Sequence, residues 1–337
     1  MASHRGAGAD LPRVGARYRV GPCHRLTESI AAPFRCSVVS PYAELSAGPL
    51  PHPRDRARTV TSRHSDITVI VTNYNYGTFL EEAVASVLGQ EGGPPQVIVV
   101  DDGSTDPETL EVLDRLPEAV LVIRGENAGV AAARNTGLAA AETPFLMLLD
   151  ADDRLRPRAL NLLRGTLEED PALGFTYGIT RFFGEWEGEM TMPPYDPYKL
   201  LYRHTIGTTC LMRRELVVAV GGFDAAFGGY EDWEFWLHAL QKGWHGRRVE
   251  EITFEYRRHG STKLTADRLE YRRWFKRLRR KHADLYARRR ELARESDLSP
   301  VGRVVYRWWW GARPMPARFE HWLHSLLWGV ARWRADR

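Results

Sequence analysis

Apolar and polar positions fall into alternating blocks through the middle of the chain. The run ITVIVT from Ile67 is apolar almost without a break, as a strand buried on both faces of a sheet reads. The loop TNYNYG follows it and leads into a helix predicted over Phe79 to Leu88. A second strand, Gln96 to Val100, ends in DDGSTD, where Ser104, Thr105 and Asp106 supply N-cap chemistry and Pro107 suits the first turn of the next helix. A third strand, Ala119 to Ile123, precedes GENAG and an Ala-rich helix from about Val130 to Ala141. The fourth, beginning at Phe145 in FLMLLDADDRLRP, runs into Asp150, Asp152 and Asp153 before a helix extending from Pro157 to about Glu169. Strand and helix alternate, with crossovers long enough for right-handed βαβ units. That order predicts an α/β fold, a mostly parallel sheet with helices on both faces, with the polar loops gathered along one edge.

The second half is less regular. A strand is predicted over Gly174 to Tyr177, and the stretch through Trp186 and MPPYDP is long enough to wall one side of a crevice. Another strand, Thr208 to Met212, leads through a short helix to GGFDAAFGGYEDWEFWLHALQKGW. Glycines 221, 222, 228 and 229 make a tightly bending loop, and a helix starting near Asp232 buries Trp233, Trp236, Leu237 and Leu240 on neighbouring turns. A last strand, Ile252 to Tyr256, ends in RRHGSTKLT. Residues 1–65 hold no period of 2 or 3.6 and are expected to be a disordered extension.

Charge changes the picture only at the C-terminal end. The net charge is +4, but nineteen Arg and Lys against eight Asp and Glu lie from Thr265 onward. Between Phe319 and Trp333 apolar residues recur at helical spacing, just after RVVYRWWWGARP. Segment 265–337 therefore reads as a basic, Trp/Arg-rich amphipathic helical tail. Two readings stay open: it lies on an anionic membrane surface, or it packs on the preceding domain. No recognised nucleic-acid module accompanies the Arg and Trp, so no nucleic-acid partner is expected. Cys23, Cys36 and Cys210 form no CxxC pair, and no apolar run is long enough to span a bilayer. A cytoplasmic protein, peripheral at most, is expected.

The crowded carboxylates carry the chemistry. Asp150, Asp152 and Asp153 repel one another unless a cation such as Mg²⁺ or Mn²⁺ sits among them; alternatively, an Asp there caps the helix opened by Pro157. TNYN after the first strand, DDGSTD after the second, DAD after the fourth and the late ED pair coincide with AARNTG, GGFD and YRRHGST. Over about Ile67 to Leu264 this set resembles the family-2 glycosyltransferases, inverting enzymes of GT-A fold. The resemblance implies a catalytic domain over 66–264 that takes sugar from a nucleotide-sugar donor, most naturally a UDP-sugar, with a divalent cation, Mn²⁺ or Mg²⁺. It implies that Thr72, Tyr74, Asp102, Arg134 and Asp150 hold the donor, that Asp152 and His259 hold the metal, and that Asp232 is the general base with Glu231 beside it. Arg134 can instead pair with a strand-end carboxylate, and Arg257 and Arg258 can neutralise phosphate. Asp153 is left to cap the helix, and Asp232 also suits the N-cap of its own. The acceptor is expected to be a glycan or lipid-linked glycan; polyprenyl phosphate, or an inactive binding module, are the alternatives.

Overall fold

The structure, a computed structural model, describes residues 63–190, 193–259 and 271–311; the N-terminal extension up to residue 62 and the Phe319 to Trp333 stripe lie outside the described residues. The first half follows the βαβ order: β1 (Ile67–Asn73), α1 (Gly77–Leu88), β2 (Gln96–Asp101), α2 (Pro107–Arg115), β3 (Val120–Arg124), α3 (Val130–Ala140) and β4 (Phe145–Asp150). These four strands pair in parallel, β3-β2-β1-β4. Register places Asn73 opposite Asp101 and Thr72 opposite Asp150, so the strand ends bring their polar residues side by side.

The second half adds β5 (Arg154–Leu155), α4 (Ala159–Glu169), β6 (Leu173–Gly184), β7 (Gly188–Met190), α5 (Pro197–Leu200), β8 (Leu211–Arg213), α6 (Arg214–Val220), α7 (Glu231–Gln241) and β9 (His245–Arg258). Strand β8 pairs antiparallel with both β4 and β6, while β9 runs parallel to β6 and holds β5 at the far edge. The sheet is therefore parallel on one side and mixed on the other. Two strands are longer than their apolar cores predicted. Strand β6 continues past Tyr177 to Gly184, and β9 begins at His245, because the two pair along most of their length with bulged register.

Alternate residues of β1 feed opposite faces, as the two-residue period of a strand requires. Ile70 joins one core with Ala131, Ala133 and Leu138 of α3, and with Trp233 and Trp236 of α7. Ile67, Val69 and Val71 join the other, with Leu80 and Val84 of α1 and Leu160 and Leu163 of α4. Beyond β9, among the described residues, four helices follow: α8 (Tyr271–Lys281), α9 (Ala283–Ala287), α10 (Arg289–Glu295) and α11 (Pro300–Gly311). Phe275, Leu278, Leu285, Tyr286 and Leu292 from this basic segment are buried in the same core as α7. Tyr271 and Tyr286 donate hydroxyl hydrogen bonds to the carbonyls of Tyr202 and Leu201.

Two capping expectations are corrected. Helix α4 starts after Arg158 with no side-chain cap, and Asp153 instead accepts from the Arg257 N–H at 2.8 Å, because the short β5 intervenes and pairs with β9. Helix α7 is capped at Tyr230, again without a side-chain bond, which puts Asp232 inside the first turn. Asp106 does cap α2, accepting from the Thr109 N–H at 2.9 Å.

Candidate active site

The loops after β1 and β2 are tied together by short polar side chains. Asn75 adopts a left-handed conformation, φ 56°, and its Oδ1 accepts from the N–H groups of Thr105 and Asp106. Asp101, buried, accepts from the Asn73 amide at 2.7 Å and from the Ser104 hydroxyl and N–H. Asp102 accepts at Oδ1 from the Ala128 N–H, 2.8 Å, and at Oδ2 from the Gly129 N–H, 2.9 Å, which fixes the loop entering α3. Each of its oxygens keeps a second lone pair. Gly103, φ 75°, permits this closeness: a Cβ there would stand 2.5 Å from the Asn127 nitrogen. Tyr74 stands at the rim, 45 % exposed.

Arg134 is the hinge of the site. It is buried on α3, where one guanidinium nitrogen meets Glu231 Oε1 at 3.0 Å and the other meets Asp150 Oδ1 at 3.1 Å. Thr72 donates to the same Asp150 oxygen at 3.0 Å. Burial alone would weaken the charge on Arg134, but Asp150 and Glu231 outweigh it and raise its pKa. Of the two roles open to Arg134, carboxylate pairing is the one observed. The next residue anchors the loop before α7: Asn135 exchanges two hydrogen bonds with the Phe223 backbone, 2.9 and 2.8 Å. The ARNTG and GGFD motifs thus meet through a side chain reading a backbone.

Two Asp–His pairs flank this bridge. On the DADD side, His259 Nε2 lies 3.0 Å from Asp152 Oδ2, and the ring is held against Tyr76 and Phe79. Burial and the nearby Asp150 charge raise the Asp152 pKa against the pull of His259. Asp153 is pushed up further, by burial and by Asp152 and Asp150. On the ED side, His204 Nε2 lies 3.1 Å from Asp232 Oδ2, while Asp232 Oδ1 accepts from the Trp233 N–H at 2.7 Å. Burial opposes charge on both partners, yet their mutual attraction wins: the His204 pKa is raised and the Asp232 pKa lowered. Glu231 moves the other way, raised by burial and by Asp232 despite Arg134. Its Oε2 is buried with no hydrogen-bond partner among the described residues.

His204 did not emerge from the sequence; it precedes β8 in a stretch without a motif, and only folding brings it to α7. Arg257, one of the two arginines open to phosphate, is engaged within the protein. Its Nε donates to the Asp152 carbonyl at 2.7 Å, its Nη2 pairs with Glu82, and its plane covers Phe79 and Phe183, so it braces the carboxylate loop from within.

A divalent cation fits the Asp152–His259 corner by the chemistry of its donors. One carboxylate oxygen and one ring nitrogen converge beside further carboxylates whose repulsion a cation would relieve. No group of three or more His, Cys, Asp or Glu suited to a metal occurs among the described residues. A bound ion would therefore take its remaining ligands from substrate phosphate and water.

Residues 68–223 match the family described as glycosyl transferase family 2. The chain is 31 % identical to the succinoglycan biosynthesis protein ExoO of Rhizobium meliloti over 216 residues, 58 % of this chain and 60 % of that one. It spans 36 to 62 % of the length of the curated relatives it matches first. Among solved structures it resembles TarS of S. aureus in complex with UDP-GlcNAc, with a TM-score of 0.54, 17 % identity and 72 % of each chain covered. The mannosyltransferase PcManGT of Pyrobaculum calidifontis, in complex with GDP-Man and Mn²⁺, superposes with a TM-score of 0.50 at 23 % identity, covering 66 % of this chain and 65 % of that one. Among the described residues no helix is long and apolar enough to cross a membrane. The motif-bearing strand ends, the family match and the shared GT-A-type fold agree: residues 68–223 carry a domain of glycosyl transferase family 2.

Proposed function

We propose that this protein transfers a sugar from a nucleoside-diphosphate sugar to an acceptor hydroxyl on a glycan or lipid-linked glycan, with inversion. The observation that carries the reading is the polar line formed by three sets of contacts, His259 with Asp152, Arg134 with both Asp150 and Glu231, and His204 with Asp232, joined where Asp150 and Asp152 share the strand end and Glu231 and Asp232 are sequence neighbours. It joins a corner suited to a diphosphate to a separate carboxylate suited to an acceptor. Asp232 is the proposed base. Its lowered pKa keeps it ionised at neutral pH, and its side chain is 19 % exposed against 7 % for Glu231. His204 orients it and takes up part of the positive charge balance. Glu231, clamped by Arg134, fixes the start of α7.

The donor is proposed to lie along the ends of β1, β2 and β4, with Thr72, Tyr74 and Asp102 toward the nucleoside and Arg134 and Asp150 behind the ribose and diphosphate. A carboxylate accepts hydrogen bonds without donating, which at Asp102 suits a base edge offering an N–H and favours a UDP-sugar. TarS, of similar fold, is known with UDP-GlcNAc, which supports the same class. Asp152 and His259 would hold the cation, Mn²⁺ being better matched than Mg²⁺ to an imidazole ligand. Bound there, the cation would neutralise charge on the departing nucleoside diphosphate.

The test is a panel of UDP-, GDP- and dTDP-sugars with the full chain, with and without Mn²⁺, read by nucleoside diphosphate release. Metal-dependent release from one donor supports the reading. Donor binding without turnover across several acceptors would make the chain a binding module instead.

A further inference from the structure

The basic C-terminal helices enclose a groove away from the residues just described. It has a volume of about 1350 Å³ and lies between α5, α8, α9, α10 and α11. Lys276, Arg279, Arg280, Arg289, Arg303 and Arg307 line it, and none of its lining residues is a carboxylate. Of the nearby acids, Glu291 is held by Arg288 and Asp297 by Lys199, and Asp284 of α9 and Glu295 of α10 are not among the lining residues. So many cations around one hollow repel each other, and a partner of opposite charge relieves the arrangement.

One wall of the groove is apolar and faces outward. On α11, Val301, Val304, Val305 and Trp308 recur at i, i+3, i+4 and i+7, and are 73, 68, 40 and 54 % exposed. The opposite side of the same helix is the one that packs, through buried Trp309 and through Tyr306 and Trp310 against the core. Val304 and Trp308 also line the groove. The outward stripe and the cations therefore form one surface, with a Trp beside a ring of Arg.

We propose that this surface docks on an anionic lipid bilayer, with Val301, Val304, Val305 and Trp308 entering the interface and the groove cations receiving lipid phosphates. A helix with an apolar stripe bordered by Arg, and an aromatic side chain at the boundary, is the pattern an interfacial helix shows. Charge decides against the chain's own continuation as occupant: residues 312–337 carry five Arg against one Glu and one Asp, so they share the sign of the groove. The same argument disfavours a second copy of the groove face to face. The inference does not depend on the sugar transferred or on the assignment of the base.

The experiment is co-sedimentation of the full chain with vesicles of phosphatidylcholine alone and of phosphatidylcholine mixed with phosphatidylglycerol. Arg280→Gln with Arg307→Gln removes two exposed charges; Val304→Ser with Trp308→Ser removes the stripe. Binding is expected for the anionic vesicles only and should weaken as salt rises. Neutralising two cations should weaken it about 30-fold, at roughly 1 kcal/mol per charge. The serine pair should also release the protein at constant charge. These positions are on the surface, and unchanged melting of both variants separates lost docking from lost folding. Equal binding to neutral vesicles, or binding that neither double variant alters, overturns the proposal. So does binding lost only on deletion of 312–337, which assigns the lipid contact to that segment, or a change confined to self-association, which assigns the face to a second copy.

Discussion

Asp232 and His204 shift in opposite directions because each holds the other's charge inside the protein. The raised His204 pKa contributes stability that is complete below its ordinary value of 6.5 and is lost as pH rises through the higher folded value. The lowered Asp232 pKa contributes stability present above its ordinary value of 3.8 and lost as pH falls through the lower folded value. The pair thus contributes most between those two ordinary values. His204→Gln should lower the melting temperature most in that window, and the deficit should shrink as pH is raised well above 6.5. A deficit independent of pH, measured by thermal denaturation across the range, would mean the histidine acts only by packing. On activity, Asp232→Asn should lower kcat by roughly 10²–10⁴-fold with donor affinity near wild type, as loss of a general base does. Near-normal turnover in that variant, with a crippled Glu231→Gln, would move the base to Glu231. Asp152→Ala should abolish Mn²⁺-dependent donor binding in calorimetry without unfolding the chain, because the side chain sits at a loop beyond β4; unchanged metal affinity would remove it from the metal corner. The sequence made Asp152, Asp232 and Arg134 legible because each stands in a short motif at a strand end or helix start. His204 had no such signal: its partner is 28 residues away, at the start of another element.

At the scale of elements, the close fit of α3 to the sheet sets where Arg134 points. Gly137 lies two fifths of a turn-pair beyond it on the buried side, and a Cβ there would come 2.2 Å from Ile70 Cγ2 and 3.1 Å from Val100 Cγ2. Gly137→Ala should therefore cost about 1–3 kcal/mol despite alanine's better helix propensity, because a filled core must deform. Urea denaturation decides it, and a stabilised variant would show that β1 and β2 have room to yield. The first four strands were legible to within a residue or two, since strands buried on both faces leave unbroken apolar runs and each is closed by turn chemistry. Strand β9 was not. Only its Ile252 to Tyr256 portion carries an apolar pattern, while His245 to Glu251 is polar and is made a strand by pairing with β6. Asp153 looks like a helix cap in the sequence for a related reason. The two residues after it form an edge strand whose only signal is its partner β9, more than ninety positions later.

At the scale of the whole molecule, the basic C-terminal helices are part of what holds α7 in place. Phe275 stacks on Trp233 at 5.9 Å between ring centroids, and Tyr271 does so at the same distance. His282 reaches Glu234 at 3.0 Å and Lys281 reaches it at 2.7 Å, so one buried carboxylate of α7 finds its partners on the C-terminal segment. Burial alone would raise the Glu234 pKa, but the hydrogen bonds from His282 and Lys281 and the Lys281 charge outweigh it and lower it. A chain ending at Leu264 would lose Lys281 and His282 together with Phe275, Leu278, Leu285 and Tyr286, leaving Trp233 without the rings that cover it and Glu234 uncompensated in an apolar surface. A buried charge deprived of its partner typically costs about 3–5 kcal/mol, and each large side chain withdrawn from the core adds about 2–5 kcal/mol. The total exceeds the margin of an ordinary domain. Truncation after Leu264 should therefore give a protein that aggregates or melts without cooperativity. A 66–264 fragment with a sharp, near-native thermal transition would show that the family domain closes its own core and that the helices from Tyr271 onward are an appendage.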